Sequence, residues 1–370
     1  MGNFADLGIK KEFIKGLSEL NIITPSEIQK QVIPLLLAGS CDLVGQAQTG
    51  TGKTAAFGLP LLQKINPKSK EVQALILSPT RELGQQIAKQ LFKFTKYSDK
   101  IFTESVYGGE RIEIQIKNLK RPTHIVVATP GRLLDLVRRK AVDLRQVKTV
   151  VLDEADEMLS MGFKKDLEDI LEQTKVAESK WLFSATMPQG IQEIVKTFLS
   201  VDAHKIEISP EQATNQNIDH QFAICEEGEK LALLCKFLKT QHKNRGVVFC
   251  KTKAVAIKLS KQLISKNISA DALHGDLKQI ERDKVMRAFK NESLQILVAT
   301  DLAARGIDIE ALSYVVHYTL PDQAEYYTHR SGRTARAGRT GLSLSLVTSK
   351  ELKSLRFFEK VLTLDLNQAR

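Results

Sequence analysis

The sequence predicts two α/β domains in tandem, each a mostly parallel β-sheet flanked by helices. Three observations carry this. The chain has 370 residues, whereas a single core stops growing at roughly 250–300 residues. Short runs rich in Val, Ile and Leu alternate with amphipathic stretches in both halves, the pattern of parallel sheets covered on both faces. A polar stretch without period lies between the two sets.

In the first half the strand-like runs are Leu75–Leu77, Ile125–Val127, Val150–Leu152 and Trp181–Phe183, and in the second Val247–Phe249, Ile296–Val298, Val315–Val316 and Leu344–Val347. Amphipathic stretches such as Leu83–Phe94 and Ala254–Ile264 lie between them. From Asp202 to Asp219 the chain turns polar, with Ser209-Pro210-Glu211-Gln212 and Thr214-Asn215-Gln216-Asn217. This reads as a linker. The division expected is 1–203 for the first domain, 204–218 for the linker and 219–370 for the second domain.

Composition narrows the class. Hydrophobic residues make up 42% and charged residues 26%, an ordinary globular mixture. No apolar run reaches 18 residues, and the start Met1-Gly2-Asn3-Phe4 has no basic segment leading into an apolar one. A membrane span and a secretory signal are therefore not expected, and the reading is a cytoplasmic protein. The cysteines Cys41, Cys225, Cys235 and Cys250 form no C-x-x-C pair, which argues against structural zinc. The net charge is +11, with 29 basic and 24 acidic side chains in residues 1–205 and 25 and 19 in residues 206–370. A basic excess spread over both halves suits a polyanion lying across them, or is simply a basic surface.

Ala47-Gln48-Thr49-Gly50-Thr51-Gly52-Lys53-Thr54 follows the strand end Leu43-Val44 and opens the helix-like Ala55–Leu59. It fits a phosphate-binding loop, with Ala47 where the pattern opens on glycine. Glycines let backbone N–H groups approach phosphates, and the helix N-terminus adds partial positive charge. Lys53 is read as reaching the β- and γ-phosphates and the Thr54 hydroxyl as ligating Mg²⁺. Downstream, Val150-Val151-Leu152 runs into Asp153-Glu154-Ala155-Asp156. Acids at a strand's carboxyl end sit where open α/β sheets bind ligands. Asp153 is placed to hold Mg²⁺ and Glu154 to position or deprotonate the attacking water. The alternative, a solvated acidic N-cap, loses weight beside the loop.

Asp-Glu-Ala-Asp after a phosphate-binding loop resembles the signature of the DEAD-box RNA helicases, and the resemblance extends over nearly the whole chain as a bacterial-type minimal two-domain core. It implies tandem RecA-like domains, ATP and Mg²⁺ as cofactors, and RNA as partner. Pro25-Ser26-Glu27-Ile28-Gln29 resembles the family's Q motif, which makes Gln29 the adenine reader. Phe4 stands where the family places an aromatic that stacks on the base. Asn21 and Ile22 depart from the usual Gly and aromatic.

Pro79-Thr80-Arg81, Gly108-Gly109 and Thr129-Pro130-Gly131-Arg132 match the family's RNA-backbone motifs. Hydroxyls, arginines and bared N–H groups suit phosphate. The scarcity of aromatic side chains among them implies little base preference. Ser184-Ala185-Thr186 resembles the family motif that links the Asp-Glu-Ala-Asp segment to strand separation, which implies that its hydroxyls hydrogen-bond Asp156. In the second half Thr252, His274, Gly275, Asp276, Arg282 and Thr300 fall on RNA-contact motifs, while Gly306 and Asp308 face the nucleotide. In His329-Arg330-Ser331-Gly332-Arg333-Thr334-Ala335-Arg336, His329 is a coupling residue. Arg333 and Arg336, three apart on one helix face, are arginine fingers for the γ-phosphate, an arrangement that can contribute roughly 10³-fold or more to rate. Ala335 replaces a commoner Gly and Thr319 a commoner Asp.

The implied function is RNA-stimulated ATP hydrolysis coupled to local duplex separation, with single- and double-stranded RNA held through the backbone, no membrane, no DNA, and a monomer. Rival readings are an ATP-gated RNA clamp with little unwinding, a DNA-directed motor of the same superfamily, and a small-molecule P-loop kinase. The chain ends about thirty residues after the last motif, without an RRM signature or an Arg/Gly-rich tail. RNA choice and pathway are not legible.

Overall fold

The computed structural model describes residues 2–48, 50–208, 217–304, 312–335 and 340–369. The chain divides into two compact units, residues 1–213 and 214–370. Of the sequence-predicted site residues, Thr49, Gly306, Asp308 and Arg336 lie outside the described residues.

Unit 1 opens with helices α1 (Lys11–Ser18) and α2 (Glu27–Ala38), then β1 (Leu43–Gln46) and α3 (Lys53–Lys64). There follow β2 (Ala74–Leu77), α4 (Arg81–Phe94), β3 (Thr103–Val106), α5 (Ile112–Leu119), β4 (Ile125–Ala128), α6 (Pro130–Arg138) and β5 (Thr149–Leu152). The unit closes with α7 (Ala155–Ser160), α8 (Lys164–Gln173), β6 (Ser179–Ser184), α9 (Gln189–Phe198) and β7 (His204–Glu207). Its seven strands are ordered β3-β4-β2-β5-β6-β1-β7, and every pairing is parallel. The strand-like runs of the sequence are these strands. Their side chains alternate between two cores. Ala74 and Ile76 pack with the α1–α4 layer, whereas Leu75 and Leu77 pack with the α6–α9 layer. Both faces are apolar because both are covered, which is why the runs are continuous rather than alternating.

One boundary differs from the sequence reading. Residues 204–207, assigned to the linker, form β7, which pairs with β1 from Leu43↔His204 to Gln46↔Glu207. The strand is polar because it lies at the sheet edge and is largely exposed, so it carries none of the hydrophobic signal of a central strand. At the other end of the predicted linker, Ile218 already belongs to the first strand of unit 2.

Unit 2 contains β8 (Ile218–Ile224), α10 (Lys230–Thr240), β9 (Gly246–Cys250), α11 (Lys253–Ile264), β10 (Ala270–Leu273) and α12 (Gln279–Lys290). It continues with β11 (Ile296–Thr300), α13 (Asp301–Ala304), β12 (Tyr314–His317), α14 (Ala324–Ser331), β13 (Gly341–Val347), α15 (Leu352–Leu362) and β14 (Leu366–Gln368). The order β10-β11-β9-β12-β13-β8-β14 is, strand for strand, the order of unit 1. In all-parallel sheets every strand delivers its carboxyl end to one edge, the edge where such sheets bind ligands. Among the described residues, no helix is long and apolar enough to cross a membrane.

A polar cluster lies buried under α14. The His317 ring stacks on Tyr327 at 4.5 Å between centroids, and its Nε2 lies 3.2 Å and 3.1 Å from the hydroxyls of Ser331 and Ser343. His220 Nδ1 meets the Tyr327 hydroxyl at 3.0 Å. Burial holds both imidazoles neutral, pushing His220 down to about 4 and His317 well below its usual value. In each case the folded state binds the proton more weakly than the unfolded one. The stability these groups contribute is present above pH ~6.5 and is lost as pH falls toward 4. Hydrogen-exchange protection factors at β12 and β13, taken relative to the intrinsic rate at each pH, should therefore fall across that window, and His220→Gln should flatten part of the dependence. Protection that stays constant from pH 7 to 4.5 would contradict the assignment.

Candidate functional site

The strand order of unit 1 sorts its motifs by position. Tyr107-Gly108-Gly109, Thr129 and Ser78-Pro79-Thr80 follow β3, β4 and β2, which are neighbours. The acids follow β5, Ser184-Ala185-Thr186 ends β6, and the glycine loop follows β1, again neighbours. One sheet edge thus carries the RNA-type motifs on one half and the nucleotide-type motifs on the other, and they adjoin at β2 and β5.

The glycine loop is held from below. Ala47 N–H donates to Ser184 C=O at 2.9 Å, Thr51 Oγ1 donates to Gln48 C=O at 2.8 Å, and Ser26 Oγ donates to Thr51 C=O at 2.7 Å. Gly50 and Gly52 adopt φ of 85° and 93°, where residues with a Cβ are strained. A Cβ on Gly52 would lie 2.4 Å from Gln29 Nε2. Gln29 is buried, with Oε1 accepting from Ser26 N–H at 2.9 Å and Nε2 donating to Gly52 C=O at 3.0 Å. That uses half the amide's capacity and leaves one N–H and one lone pair for a base edge. Gln29 therefore braces the loop from within the fold. Phe4, expected to stack on the base, is 2% exposed within the core. A ring buried to that degree offers no open face. Asn21 has φ 56°, so the departure from glycine falls on one of the residue types that tolerate the left-handed region best.

Lys53 is buried at the start of α3, with Nζ donating to Ala47 C=O at 2.8 Å. Thr54 beside it is half-buried. Across the edge, Asp153 is 3% exposed, and its Oδ1 accepts from Glu154 N–H at 3.0 Å. Burial, the main cause, pushes the Asp153 carboxyl up to about 7; Lys53 opposes the shift, while Glu154 and Asp156 add to it. Glu154 is buried with φ 52° and ψ 52°, an uncommon conformation outside glycine. A buried carboxylate crowded by two others is the environment a divalent cation relieves, and the Thr54 hydroxyl offers the oxygen donor that Mg²⁺ takes. The open glycines and the N-terminus of the twelve-residue α3 suit phosphate. The residues fit both groups.

Asp156 ties the end of β5 to the end of β6 within the nucleotide-type half. Its Oδ2 accepts from Thr186 N–H at 2.8 Å and Thr186 Oγ1 at 2.9 Å. Ser184 Oγ accepts from Asp156 N–H at 3.2 Å and donates to Thr186 C=O at 2.7 Å. The hydroxyl contacts expected for this motif are present.

On the RNA-type half, Thr80 Oγ1 caps α4 by accepting from Leu83 N–H at 3.3 Å. Thr252 caps α11 in the same way, at 3.3 Å from Val255 N–H. The two threonines follow the equivalent strands β2 and β9 with nearly the same backbone angles, and each keeps its hydroxyl proton to donate. Arg81 lies 4.5 Å over the Tyr107 ring, and the Tyr107 hydroxyl accepts from Gln85 at 2.8 Å. Arg132 donates to Gln115 Oε1 at 2.9 Å and to Glu110 C=O at 3.1 Å, while Gln115 donates to Tyr107 C=O at 3.0 Å. Tyr107, Glu110 and Gln115 hold these arginines and the exposed Gly108-Gly109 turn. Sequence reasoning missed them, although an aromatic immediately before two glycines was the available signal.

In unit 2, His274, Thr300 and Thr252 follow the adjacent strands β10, β11 and β9. Gly275 is exposed, Asp276 pairs with Lys253 at 2.6 Å, and Arg282 donates to Ala303 C=O at 2.7 Å. The helix expected to carry Arg333 ends earlier. α14 stops at Ser331 with Gly332 as its C-cap. Arg333, half-buried, sits in the following turn with Nε donating to His329 C=O at 3.3 Å. Ala335 then takes φ 55°, a conformation that costs a residue with a Cβ roughly 1–2 kcal/mol. This explains the commoner glycine; Arg333 lies past the end of α14 and not on the helix face expected for it, and Arg336 falls outside the described residues. Arg330, which the sequence reading did not single out, is 2% exposed. It forks onto Asp301 at 2.5 and 2.8 Å and donates to Thr319 C=O at 2.7 Å, above the Phe249 ring. Because only the Thr319 backbone is used, the departure from Asp there leaves this contact intact.

The family model of the DEAD/DEAH box helicases matches residues 26–194, and that of the helicase conserved C-terminal domain matches residues 229–338. An ATP-dependent RNA helicase CshA of Limosilactobacillus reuteri is 43% identical over 359 residues, covering 97% of this chain and 71% of the relative. The chain belongs to the DEAD-box helicases. Among solved structures, S. cerevisiae Dbp5 bound to RNA and ADP BeF3 is 31% identical, with a TM-score of 0.90 over 100% of this chain and 96% of that one. A DEAD box protein from Methanococcus jannaschii is 40% identical, with a TM-score of 0.58 over 100% and 99%. Both units are RecA-like, as expected of a DEAD-box helicase.

The raised carboxyl of Asp153 gives a test without activity. Asp153→Asn removes a charge that burial disfavours, so it should raise the melting temperature of the nucleotide-free protein at pH 8. The gain should shrink at pH 5.5, where Asp153 is already protonated. A destabilised variant at pH 8 would contradict this electrostatic picture.

Proposed function

We propose that this chain hydrolyses ATP in an RNA-stimulated cycle and uses it to separate short RNA duplexes. The observation that carries the reading is the shared edge of unit 1, where the RNA-type motifs after β3, β4 and β2 adjoin the nucleotide-type motifs after β5, β6 and β1 at the β2–β5 pairing. Lys53 and the loop amides hold the phosphates. Glu154 orients and deprotonates the attacking water. Mg²⁺, held through Asp153 and Thr54, supplies charge neutralisation at the phosphates. Gln29 reads adenine through its remaining donor and acceptor. Arg333 comes from unit 2 to stabilise the γ-phosphate, so neither unit holds a complete catalytic set.

RNA is held through its backbone by Thr80, Arg81, Gly108, Gly109, Thr129 and Arg132 in unit 1, and by Thr252, His274, Gly275, Arg282 and Thr300 in unit 2. ATP and RNA each draw contacts from both units. Each therefore favours the same closed state and raises the other's affinity. Hydrolysis removes the γ-phosphate contacts and releases the strand. The solved structure of Dbp5 with RNA and ADP BeF3 supports this pairing of ligands.

Steady-state ATP turnover with and without single-stranded RNA tests the proposal. Stimulation by RNA and weak stimulation by DNA of the same sequence are expected, and equal turnover with and without RNA would overturn it. Arg333→Ala should lower turnover by roughly 10³-fold while leaving ATP binding within a few-fold. Normal turnover in that variant would remove the arginine finger from the scheme.

A further inference from the structure

Exposed aromatic side chains are rare on this molecule and are not scattered. Among the described residues, Phe92, Tyr97, Phe102 and Phe357 are the exposed aromatics, and the first three fall within residues 92–102. This segment runs from the end of α4 through a turn to β3, the strand on which α4 packs. Phe92 is 72% exposed. It lies on the outer face of α4 with Lys89 one turn before it and the exposed Lys93 next in the chain, away from the buried Ile87, Leu91 and Phe94. Residues 89–100 contain Lys89, Lys93, Lys96 and Lys100 against one acid, Asp99. Lys15 and Lys96 lie 4.1 and 5.4 Å over the Tyr97 ring. The nearby Glu19 is occupied by Lys96, at 2.6 Å, and by the Tyr97 hydroxyl. Phe102 has one ring face stacked on His124 at 5.6 Å and remains 47% exposed.

None of this belongs to the site described above. α4 begins at the carboxyl edge with Arg81, and Phe92 lies roughly 16 Å further along its axis, toward the amino edge of the sheet. No core contact requires an aromatic at position 92. Lysines interleaved with open rings are what sequence-tolerant binding of single strands uses: the charges hold the backbone and the rings stack on bases.

We propose that the end of α4 and the turn to β3 form a second RNA-contact surface on unit 1, where Phe92 stacks on a base and Lys89 and Lys93 hold the adjoining phosphates. The surface takes RNA that extends beyond the segment held at the strand edge. It would supply base stacking that the backbone motifs lack and tether a long substrate while the helicase site releases and rebinds. The proposal rests on RNA being the substrate of the main site.

The full chain is compared with Phe92→Ala and with the double substitution Lys89→Gln/Lys93→Gln. One RNA is just long enough to stimulate ATP hydrolysis fully, and the other is a single strand several times longer. Phe92→Ala should weaken binding of the long strand about ten-fold and leave affinity and stimulation by the short one unchanged. The lysine variant should lower the slope of log affinity against log salt for the long strand by about 1.4. Photo-crosslinking of the long strand should label the peptide that contains Phe92. Unchanged long-strand affinity and slope in both variants would overturn the proposal and leave the surface to an acidic protein partner. If the unsubstituted chain bound RNA without stimulated turnover, the functional reading would fail, while the comparison of long-strand affinities would still decide the surface.

Discussion

Asp156 is the carboxylate that ties the acids after β5 to the Ser-Ala-Thr turn and, through Ser184, to the glycine loop of unit 1. It sits one strand away from Thr186, and the two are bonded because β6 is inserted between β5 and β1. A sheet without β6 between β5 and β1 would separate the acids from the Ser-Ala-Thr turn or the turn from the glycine loop. In this order Ser184 C=O anchors Ala47 at the mouth of the loop, while Ser184 Oγ and Thr186 hold Asp156. A displacement of the loop on binding phosphate would therefore be transmitted to Asp156 through two residues of one strand end. No long pathway is needed, because the groups share a hydrogen-bonded network in a low-dielectric setting.

Electrostatics gives the same edge its bias toward ligands. Three acidic groups crowd the end of β5, and burial raises the Asp153 carboxyl to about 7. The nucleotide-free edge thus holds unfavourable negative charge that a divalent cation would balance. Unit 2 handles charge differently. Arg330, buried under its ring, is neutralised within the unit by Asp301, which fixes the end of α14 against the end of β11. Arg333 leaves the helix just after that fixed point. The position of the arginine assigned to catalysis is therefore set by a neighbouring arginine that is not.

Much of this was legible in the sequence. The central strands announced themselves because both sheet faces are buried, and the glycine loop and acids because phosphate and metal chemistry restricts residue type. What was not legible depended on tertiary context. β7 is a polar edge strand and reads as linker. Phe4 is an aromatic near the start of the chain, and nothing local distinguishes a stacking ring from one packed in the α1–α4 core. The sequence offers Gln29 as a candidate base reader, but its bond to Gly52 required knowing that α2 lies against the loop. The end of α14 was extended too far because Gly332 was read as part of a motif and not as a cap. Tyr107 and Gln115 were missed because supporting residues carry no chemistry of their own.

The most direct test of the account concerns the bond between Thr186 and Asp156. Thr186→Val keeps the shape and the backbone N–H but deletes the hydroxyl, a hydrogen bond to a charged group whose loss costs about 1.5–3 kcal/mol. ATP turnover at saturating RNA and the rate of strand release from a short RNA duplex are measured on the same preparation. Duplex separation should fall roughly ten-fold or more while RNA-stimulated turnover stays within a few-fold. Separation and turnover that both stay unchanged, or that fall in parallel, would contradict the role given to this bond.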